Sequence, residues 1–324
     1  MKIASSAGRA PGRPAIAAAI AILVVVWAVN FIAAKIGLRH LPPLAMASFR
    51  VVLAGAVMVP VYFCCLRLSA FAEAADLRRR GFALGDFWTF LYLGFFGVTI
   101  NQMCFTIGLY FTPVSHSAVI VGLGPIYILL LAVLLRLERA RAHKVVGMLI
   151  ALAGVAVLAS ENGISVHSLS IEGDAITMAG SLGFAIYVVL GKRVAEKYDT
   201  LTMTTFNHFA GALIVLPAAI HEIWALSSAR LWHQPWRAWA AVAYMAVFSS
   251  ALAYVFYFWL LRYLEASQLA AFTYLLPVLA TILGILWLGE RGSWSQLLGG
   301  LMALGGVYWI ESSRAPVVNA NTVP

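Results

Sequence analysis

The sequence predicts an all-α integral membrane protein of ten transmembrane helices, arranged as two five-helix repeats of inverted topology. Three observations predict it. The 324-residue chain is 62% hydrophobic and 11% charged, with a mean hydropathy of +0.90, whereas a soluble domain is about half apolar and about a quarter charged. Its apolar runs have the length of a membrane crossing, since ~20 residues at ~1.5 Å each span a ~30 Å hydrocarbon core. And one odd segment is written twice: "VGLGPIYILLLAVLLRLERA" (Val121–Ala140) returns as "TYLLPVLATILGILWLGERG" (Thr273–Gly292), with proline and Glu-Arg in the same places.

The elements follow in order. The first run comes after Arg9 and Arg13, as a signal peptide would begin. It continues from Ala15 to Ala34, too long for the apolar region of a signal, and no small-residue cleavage site follows. It reads as span 1, at 14–35, behind a cytoplasmic tail at 1–13. Nine more spans follow at 43–66, 86–110, 113–136, 143–160, 172–194, 200–221, 238–262, 266–289 and 293–311, and a tail closes the chain at 312–324. The linkers are short. The longest, Arg67 to Gly85, carries "DLRRRG" and reads as a solvated loop. Cys64, Cys65 and Cys104 lie within apolar runs, without CxxC or metal-ligand spacing, and read as packing residues.

Lys and Arg collect in cytoplasmic loops. With the N-terminus inside, Lys2, Arg9, Arg13, Arg67, Arg78, Arg79, Arg80, Arg136, Arg139, Arg141, Lys144, Lys192, Arg193, Lys197, Arg262 and Arg314 share the cytoplasmic side. Only Lys35, Arg39, Arg230, Arg237 and Arg291 fall outside. Both termini are therefore expected in the cytoplasm. The same rule accounts for the net charge of +9 without nucleic acid as a partner.

A shift of 152 aligns residues 92–158 with 244–310 without a gap. Its identities include Tyr92/Tyr244, Phe96/Phe248, Ser115/Ser267, Pro125/Pro277, Glu138/Glu290, Arg139/Arg291, Gly147/Gly299 and Gly154/Gly306. A shift of 157 relates Lys35/Lys192, Met46/Met203, Phe49/Phe206 and Pro60/Pro217. Residues 14–160 thus form one repeat and 172–311 the second. Five spans is an odd number, so the second repeat must enter the membrane from the other side. Inverted repeats with a site at their interface are the architecture of secondary transporters.

"WAVNFIAAKIGLRHLPPLAMASFRVVLAG" (Trp27–Gly55) and the two proline-to-Glu-Arg segments resemble the drug/metabolite transporter superfamily, of the ten-helix EamA type, over roughly residues 14–311. The resemblance implies a basket of ten helices around a central cavity and export of metabolites across a bacterial inner membrane. The aromatic supply and "VSHSA" in span 4 most resemble exporters of aromatic and other amino acids. Those exporters often carry aromatic residues where this chain has Asn101 and Gly124, which leaves more room in the pocket.

Polar groups at membrane depth are costly and default to functional sites. Asn30, Asn101, Gln102, Thr177, Tyr187, Ser249, Ser250, Tyr254, Thr273 and Tyr274 fall near midplane. The shift of 157 pairs Trp27 with Phe184 and Asn30 with Tyr187, and the shift of 152 pairs Gln102 with Tyr254. Equivalent residues at equivalent depths fit a shared cavity, so Trp27, Asn30, Asn101, Gln102, Phe184, Tyr187, Tyr254, Thr273 and Tyr274 are the expected substrate-binding residues. Interhelical hydrogen bonding is the alternative for any one of them. Rings with a few amides and hydroxyls suit small amphipathic molecules, and cation–π contact would hold an ammonium group.

Pro125 and Pro277 lie near the middle of spans 4 and 9. A helix-interior proline removes a hydrogen bond and presses on the carbonyl four residues earlier, here Val121 and Thr273. Both are expected to be gating hinges, with a static kink as the alternative. Glu138-Arg139 and Glu290-Arg291 are expected to anchor helix ends. Arg50, some two turns into span 2, reads as snorkelling or pairing, with an anionic substrate group as its other use. No Asp or Glu occupies the middle third of a span, so transport without an ion gradient is expected. His116 and His208 are the residues that could couple a proton if one is used.

The sequence excludes several classes. It has no GxxxxGK[ST] for ATP, and no G-x-S-x-G or HExxH. Ser115 and His116 are adjacent on a helix, about 100° apart, and cannot readily pair as nucleophile and base. The expectation is a carrier with no cofactor and no metal, whose partners are the bilayer and a small-molecule substrate. Drug-like organic cations are the alternative cargo, and a channel or receptor-like module the alternative class.

Overall fold

The structure, a computed structural model, describes residues 11–66, 84–112, 117, 120–160, 171–195, 197–226, 233–279, 282 and 294–312. All secondary structure among them is helical. In chain order it comprises α1 (Arg13–Leu38), α2 (Pro43–Leu66), α3 (Leu84–Leu93), a π-helical stretch π1 (Gly94–Ile100), α4 (Asn101–Phe111), α5 (Gly124–Leu134), α6 (Ala142–Ser160), α7 (Ile171–Ala195), α8 (Thr200–Ala225), α9 (Trp236–Tyr244), a second π stretch π2 (Met245–Leu252), α10 (Ala253–Leu261), α11 (Ala266–Ala271), a 3₁₀ turn (Phe272–Tyr274) and α12 (Trp294–Ser312). Among the described residues, six continuous helices are long and apolar enough to cross a membrane: Arg13–Leu38, Pro43–Cys65, Asp86–Phe111, Ile171–Ala195, Thr200–Ala225 and Trp236–Leu261. Four shorter apolar helices cover Ile120–Leu134, Ala142–Val157, Ala266–Leu279 and Leu297–Ile310.

Local chemistry explains the ends. Pro14 lies in the first turn of α1, where a missing N–H removes no intrahelical bond. Glu172 and Asp174 open α7, and Lys192 and Arg193 close it, each sign at the dipole end that favours it. Asp199 caps α8, its carboxylate accepting from Thr202 N–H at 3.1 Å. α5 ends in a Schellman turn, in which Leu137 N–H reaches Ala132 O at 2.8 Å and Arg136 N–H reaches Val133 O at 2.9 Å. The residue that turns left-handed there is Arg136, with φ of 56°, where glycine is usual.

The departures from regular helix recur with the sequence repeat. π1 and π2 interrupt the third and eighth expected spans, and a shift of 152 carries Gly94–Ile100 onto 246–252, one residue short of the whole of π2. The fourth and ninth spans are also broken at matching places, at a turn on Leu123 and at the 3₁₀ turn Phe272–Tyr274.

The chain forms two compact units. One comprises Met1–Thr99 and Leu190–Tyr263, the other Ile100–Val189 and Leu264–Pro324; each draws on both sequence repeats. In the first, α2 packs along α8. Both helices hold an interior proline, Pro60 and Pro217. A methyl group at Gly55 would stand 2.5 Å from the Ala212 Cβ and 2.9 Å from the His208 carbonyl oxygen. Ala212 is the counterpart of Gly55 under the shift of 157.

In the second unit, α6 packs along α12 more closely still. A methyl group at Gly154 would meet Ala303 N at 2.5 Å and Gly299 O at 2.6 Å, and one at Gly306 would meet Gly147 O at 2.5 Å and Ala151 N at 2.6 Å. The two helices run antiparallel, and each presents to the other the surface that it receives. Lipid tails give helices no hydrophobic reason to associate, so small residues that let backbones approach supply the packing. Around this contact Leu129, Met148, Ala151, Val155, Tyr274, Ala303, Val307 and Ile310 form a buried cluster.

Candidate functional site

In the first unit, polar groups gather on the two π stretches. A π turn bonds i to i+5 and leaves a carbonyl without its usual donor. Side chains supply the donors: Trp27 Nε1–H donates to Ser249 O at 3.1 Å, and the Tyr254 hydroxyl donates to Gly97 O at 3.2 Å. Gly97 and Ser249 are counterparts under the shift of 152, so the same carbonyl in each repeat accepts from an aromatic side chain. Arg50 is buried at 3% exposure, and its Nη2 donates to Ser250 Oγ at 3.1 Å. His208 is fully buried, with Nδ1 2.9 Å from Thr204 O and its ring edge-on to Tyr254 at 5.1 Å. Its Nε2 lies near the Ser250 backbone without closing a hydrogen bond.

Trp27 touches two more rings, Tyr254 edge-on at 6.1 Å and Tyr257 at 5.5 Å. Asn30 lies one turn along α1 from Trp27 and is buried, and its Oδ1 makes no hydrogen bond. Of the expected site residues, the structure therefore brings Trp27, Tyr254 and His208 into one cluster. It adds Arg50, Ser249 and Ser250. The guanidinium, hydroxyls and imidazole beside edge-on and tilted rings offer hydrogen bonds and π faces to an amphipathic molecule.

Asn101, Gln102, Phe184, Tyr187, Thr273 and Tyr274 belong to the second unit. Asn101, first residue of α4, donates from Nδ2 to Gly180 O at 3.1 Å. Phe184 is half-buried one turn beyond Gly180, while Gln102 and Tyr187 are buried. Thr273 donates its hydroxyl back to Ala270 O at 2.8 Å, inside its own helix. Tyr274 is fully buried in the cluster between α6 and α12.

Two sequence expectations need correction. Pro125 is not interior to a regular helix. The chain turns at Leu123, and Pro125 stands in the first turn of α5, where its missing N–H costs no bond. Pro277 does follow a disturbed stretch, the 3₁₀ turn that contains Thr273. Lys144, counted with the cytoplasmic loops, lies in the first turn of α6 and its side chain is 1% exposed. It donates to Glu138 Oε2 at 3.3 Å, to Ser267 Oγ at 3.1 Å and to Glu265 Oε2. Glu138 also accepts from Ser267 N–H at 3.3 Å and from the Ser267 hydroxyl. Arg139 is exposed. His116, Glu290 and Arg291 lie outside the described residues. The sequence signal for the Lys144 cluster was present, because Ser115/Ser267 and Glu138/Glu290 repeat at one offset.

The sequence profile of the EamA-like transporter family matches residues 15–160 and 171–312. The chain belongs to the EamA-like transporter family. Its relatives agree. An uncharacterized transporter of Archaeoglobus fulgidus is 26% identical over 293 residues, 89% of this chain and 94% of its own. An uncharacterized transporter of Bacillus subtilis is 27% identical over 280 residues, 86% of this chain and 87% of its own. A probable terminal-alkyne amino-acid exporter of Streptantibioticus cattleyicolor is 23% identical over 293 residues, 90% of this chain and 92% of its own. A solved crystal structure shares the fold at a TM-score of 0.68 and 19% identity, over 92% of this chain and 96% of that one. This EamA-family chain is thus a membrane transporter of small molecules and not an enzyme.

Proposed function

We propose that this transporter is a secondary carrier that exports amino acids, aromatic ones among them, or similar small amphipathic metabolites across a bacterial inner membrane. It works by alternating access of two inverted five-helix repeats, with both termini in the cytoplasm. The observation that carries the reading is the reciprocal, antiparallel packing of counterpart helices, α6 on α12 through Gly154–Gly299 and Gly147–Gly306. A two-fold axis in the membrane plane would produce that exchange of contacts. Gly97 and Ser249, counterpart carbonyls served by side-chain donors, support it independently.

The substrate class rests on side chains. Trp27, Tyr254 and Tyr257 supply ring faces; Arg50, Ser250 and Asn30 supply polar groups. In the second unit, Asn101, Gln102, Phe184, Tyr187, Thr273 and Tyr274 are proposed as substrate-binding residues on their own account. An amino acid presents both kinds of chemistry, and the Streptantibioticus relative is named for amino-acid export. A purely cationic drug is a poorer fit to a cluster that already contains Arg50. The breaks ahead of Pro125 and Pro277 are the hinges: the chain turns at Leu123 before the first and runs through the 3₁₀ stretch Phe272–Tyr274 before the second, and a 3₁₀ stretch marks a place where a helix bends. His208, buried and bonded to Thr204, belongs to the packing of the cluster rather than to ion coupling.

The test is counterflow in proteoliposomes with phenylalanine as the first probe, followed by a panel of other amino acids and organic cations. A carrier accelerates uptake of labelled probe when unlabelled probe waits on the far side. Uptake that ignores trans substrate would indicate a channel. A panel in which only cations are taken up would replace the substrate class.

A further inference from the structure

Arg50 is a charge inside a pair of apolar helices, and the sequence repeat shows that the packing does not require it. Arg50 is 3% exposed, and its Nη2 donates to Ser250 Oγ at 3.1 Å. Removing a charge from water is costly in an apolar bundle. The shift of 157 makes Asn207 the counterpart of Arg50, and the shift of 152 makes Val98 the counterpart of Ser250. Both counterparts are fully buried. α2 packs on π2, and its counterpart α8 packs on α3. α8 also meets π1: a methyl group at Gly94 would stand 2.6 Å from the Asn207 carbonyl oxygen, and one at Gly211 would stand 2.6 Å from the Val98 Cβ. The same contact between counterpart elements is thus built once with arginine and serine and once with asparagine and valine. A close contact forms without the charge, so the charge serves something other than the contact.

We propose that Arg50 docks a carboxylate of the cargo, whose apolar group lies on the Trp27 and Tyr257 rings, so that the carboxylate is required and an amino group is not. This rests on the carrier reading above and narrows its cargo to organic acids with an apolar tail, amino acids among them. The guanidinium presents a planar fork that matches a carboxylate with two parallel hydrogen bonds. One carboxylate oxygen takes over the acceptor role that Ser250 Oγ holds. The Ser250 hydroxyl then turns to donate to the anion, since a hydroxyl does both. The preceding residue, Ser249, has a second buried hydroxyl, which makes no hydrogen bond. The rings are close to this end. Trp27 Nε1–H donates to the Ser249 carbonyl at 3.1 Å, and the Trp27 ring lies 5.5 Å from that of Tyr257. An ammonium finds less. α1, α2, π2 and α10 contain no Asp or Glu, so these elements offer it ring faces but no counter-charge.

The experiment is equilibrium binding by titration calorimetry, on the full chain in lipid nanodiscs. Three probes share one ring: phenylacetate, phenylacetamide and phenethylamine. The native chain should bind the acid at least about tenfold tighter than the amide or the amine, the weight of one hydrogen bond between charged groups. Arg50→Gln should bring the acid down to the level of the amide and leave the amide unchanged. An arginine that only supports the fold would weaken both together, so the ratio separates the two roles. Ser250→Ala keeps the charge in place; it should weaken the acid alone, and it decides the matter if Arg50→Gln does not fold. Equal native affinities for acid and amide would overturn the proposal, as would a preference for the acid that survives Arg50→Gln. The carrier reading fails separately. Acid binding through Arg50 without phenylalanine counterflow would remove that reading and keep the docking site. Counterflow of phenylalanine and phenethylamine alike, with no preference for the acid, would keep the carrier and remove the docking site.

Discussion

Two pairs of counterpart helices pack against each other in this protein, and they are built on opposite principles. α6 and α12 meet through Gly147, Ala151, Gly154, Gly299, Ala303 and Gly306, with the apolar side chains of Leu129, Val155 and Val307 packed beside them. α2 and α8 meet beside Ser48, Arg50, Thr204, Asn207 and His208, all buried, and each contains a proline. The dry pair has one way to pack, because its backbones touch. The polar pair holds groups whose hydrogen bonds can be exchanged for those of a ligand. The difference assigns rigidity to one unit's helix pair and chemistry to the other's.

The largest effect should come from breaking the dry pair. Gly154→Leu puts a side chain where a methyl group already meets backbone atoms at 2.5 and 2.6 Å, and backbone cannot step aside as a side chain can. The expected cost is about 3 kcal/mol of stability, read as the unfolding midpoint in detergent. Tolerance of Leu at position 154, with failure of Gly55→Leu, would reverse the assignment. Next comes the polar pair. Arg50→Met should leave the fold intact by the same assay and slow exchange about tenfold or more, since a charge-assisted hydrogen bond is lost. Arg50→Lys should recover little of it, because an ammonium lacks the planar fork. Normal transport by Arg50→Met would make the arginine a packing residue.

Smaller effects sharpen the picture. Asp199→Ala removes the cap of α8 and should cost about 1 kcal/mol, without moving the α6–α12 contact. Arg136→Gly places glycine at φ 56° and should stabilise the turn into α6 by about 0.5–1 kcal/mol. The smallest effect lies on the surface. The Lys197 ammonium is held above the usual lysine value by its hydrogen bond to Asp86, with contacts of 2.7 Å to both carboxylate oxygens. A raised lysine contributes its stability below its ordinary value and loses it as pH climbs through the folded one. Lys197→Met should therefore leave the unfolding midpoint at neutral pH unchanged within error, and any difference from the native chain should vanish in strongly alkaline buffer.

Much of the fold was legible in the residues. The apolar runs located the helices to within a few positions; the expected 43–66 and 143–160 are α2 and α6 at Pro43–Leu66 and Ala142–Ser160. Apolar length is a local property, and lipid enforces helix wherever it is met. The site was less legible. Trp27, Tyr254 and His208 were singled out by depth and type and do meet, but Arg50 joins them because α2 lies beside π2. The π stretches have no sequence rule; "GFFGVTI" and "MAVFSSAL" share Phe96/Phe248 and an end eight residues after Tyr92 and Tyr244. Pro125 misled because a proline is equally at home inside a kinked helix and at a helix start, and only the turn at Leu123 separates the two.

By itself, the sequence determined the membrane, the family and the repeat, because hydropathy, charge bias and a fixed offset are properties of the chain in one dimension. Only the tertiary structure decided which counterparts touch. Glu138 and Ser267 are 129 residues apart and Arg50 and Ser250 are 200 apart. A buried charge is tolerable only where distant segments bring it partners, so its meaning resides in packing that no local stretch of residues encodes.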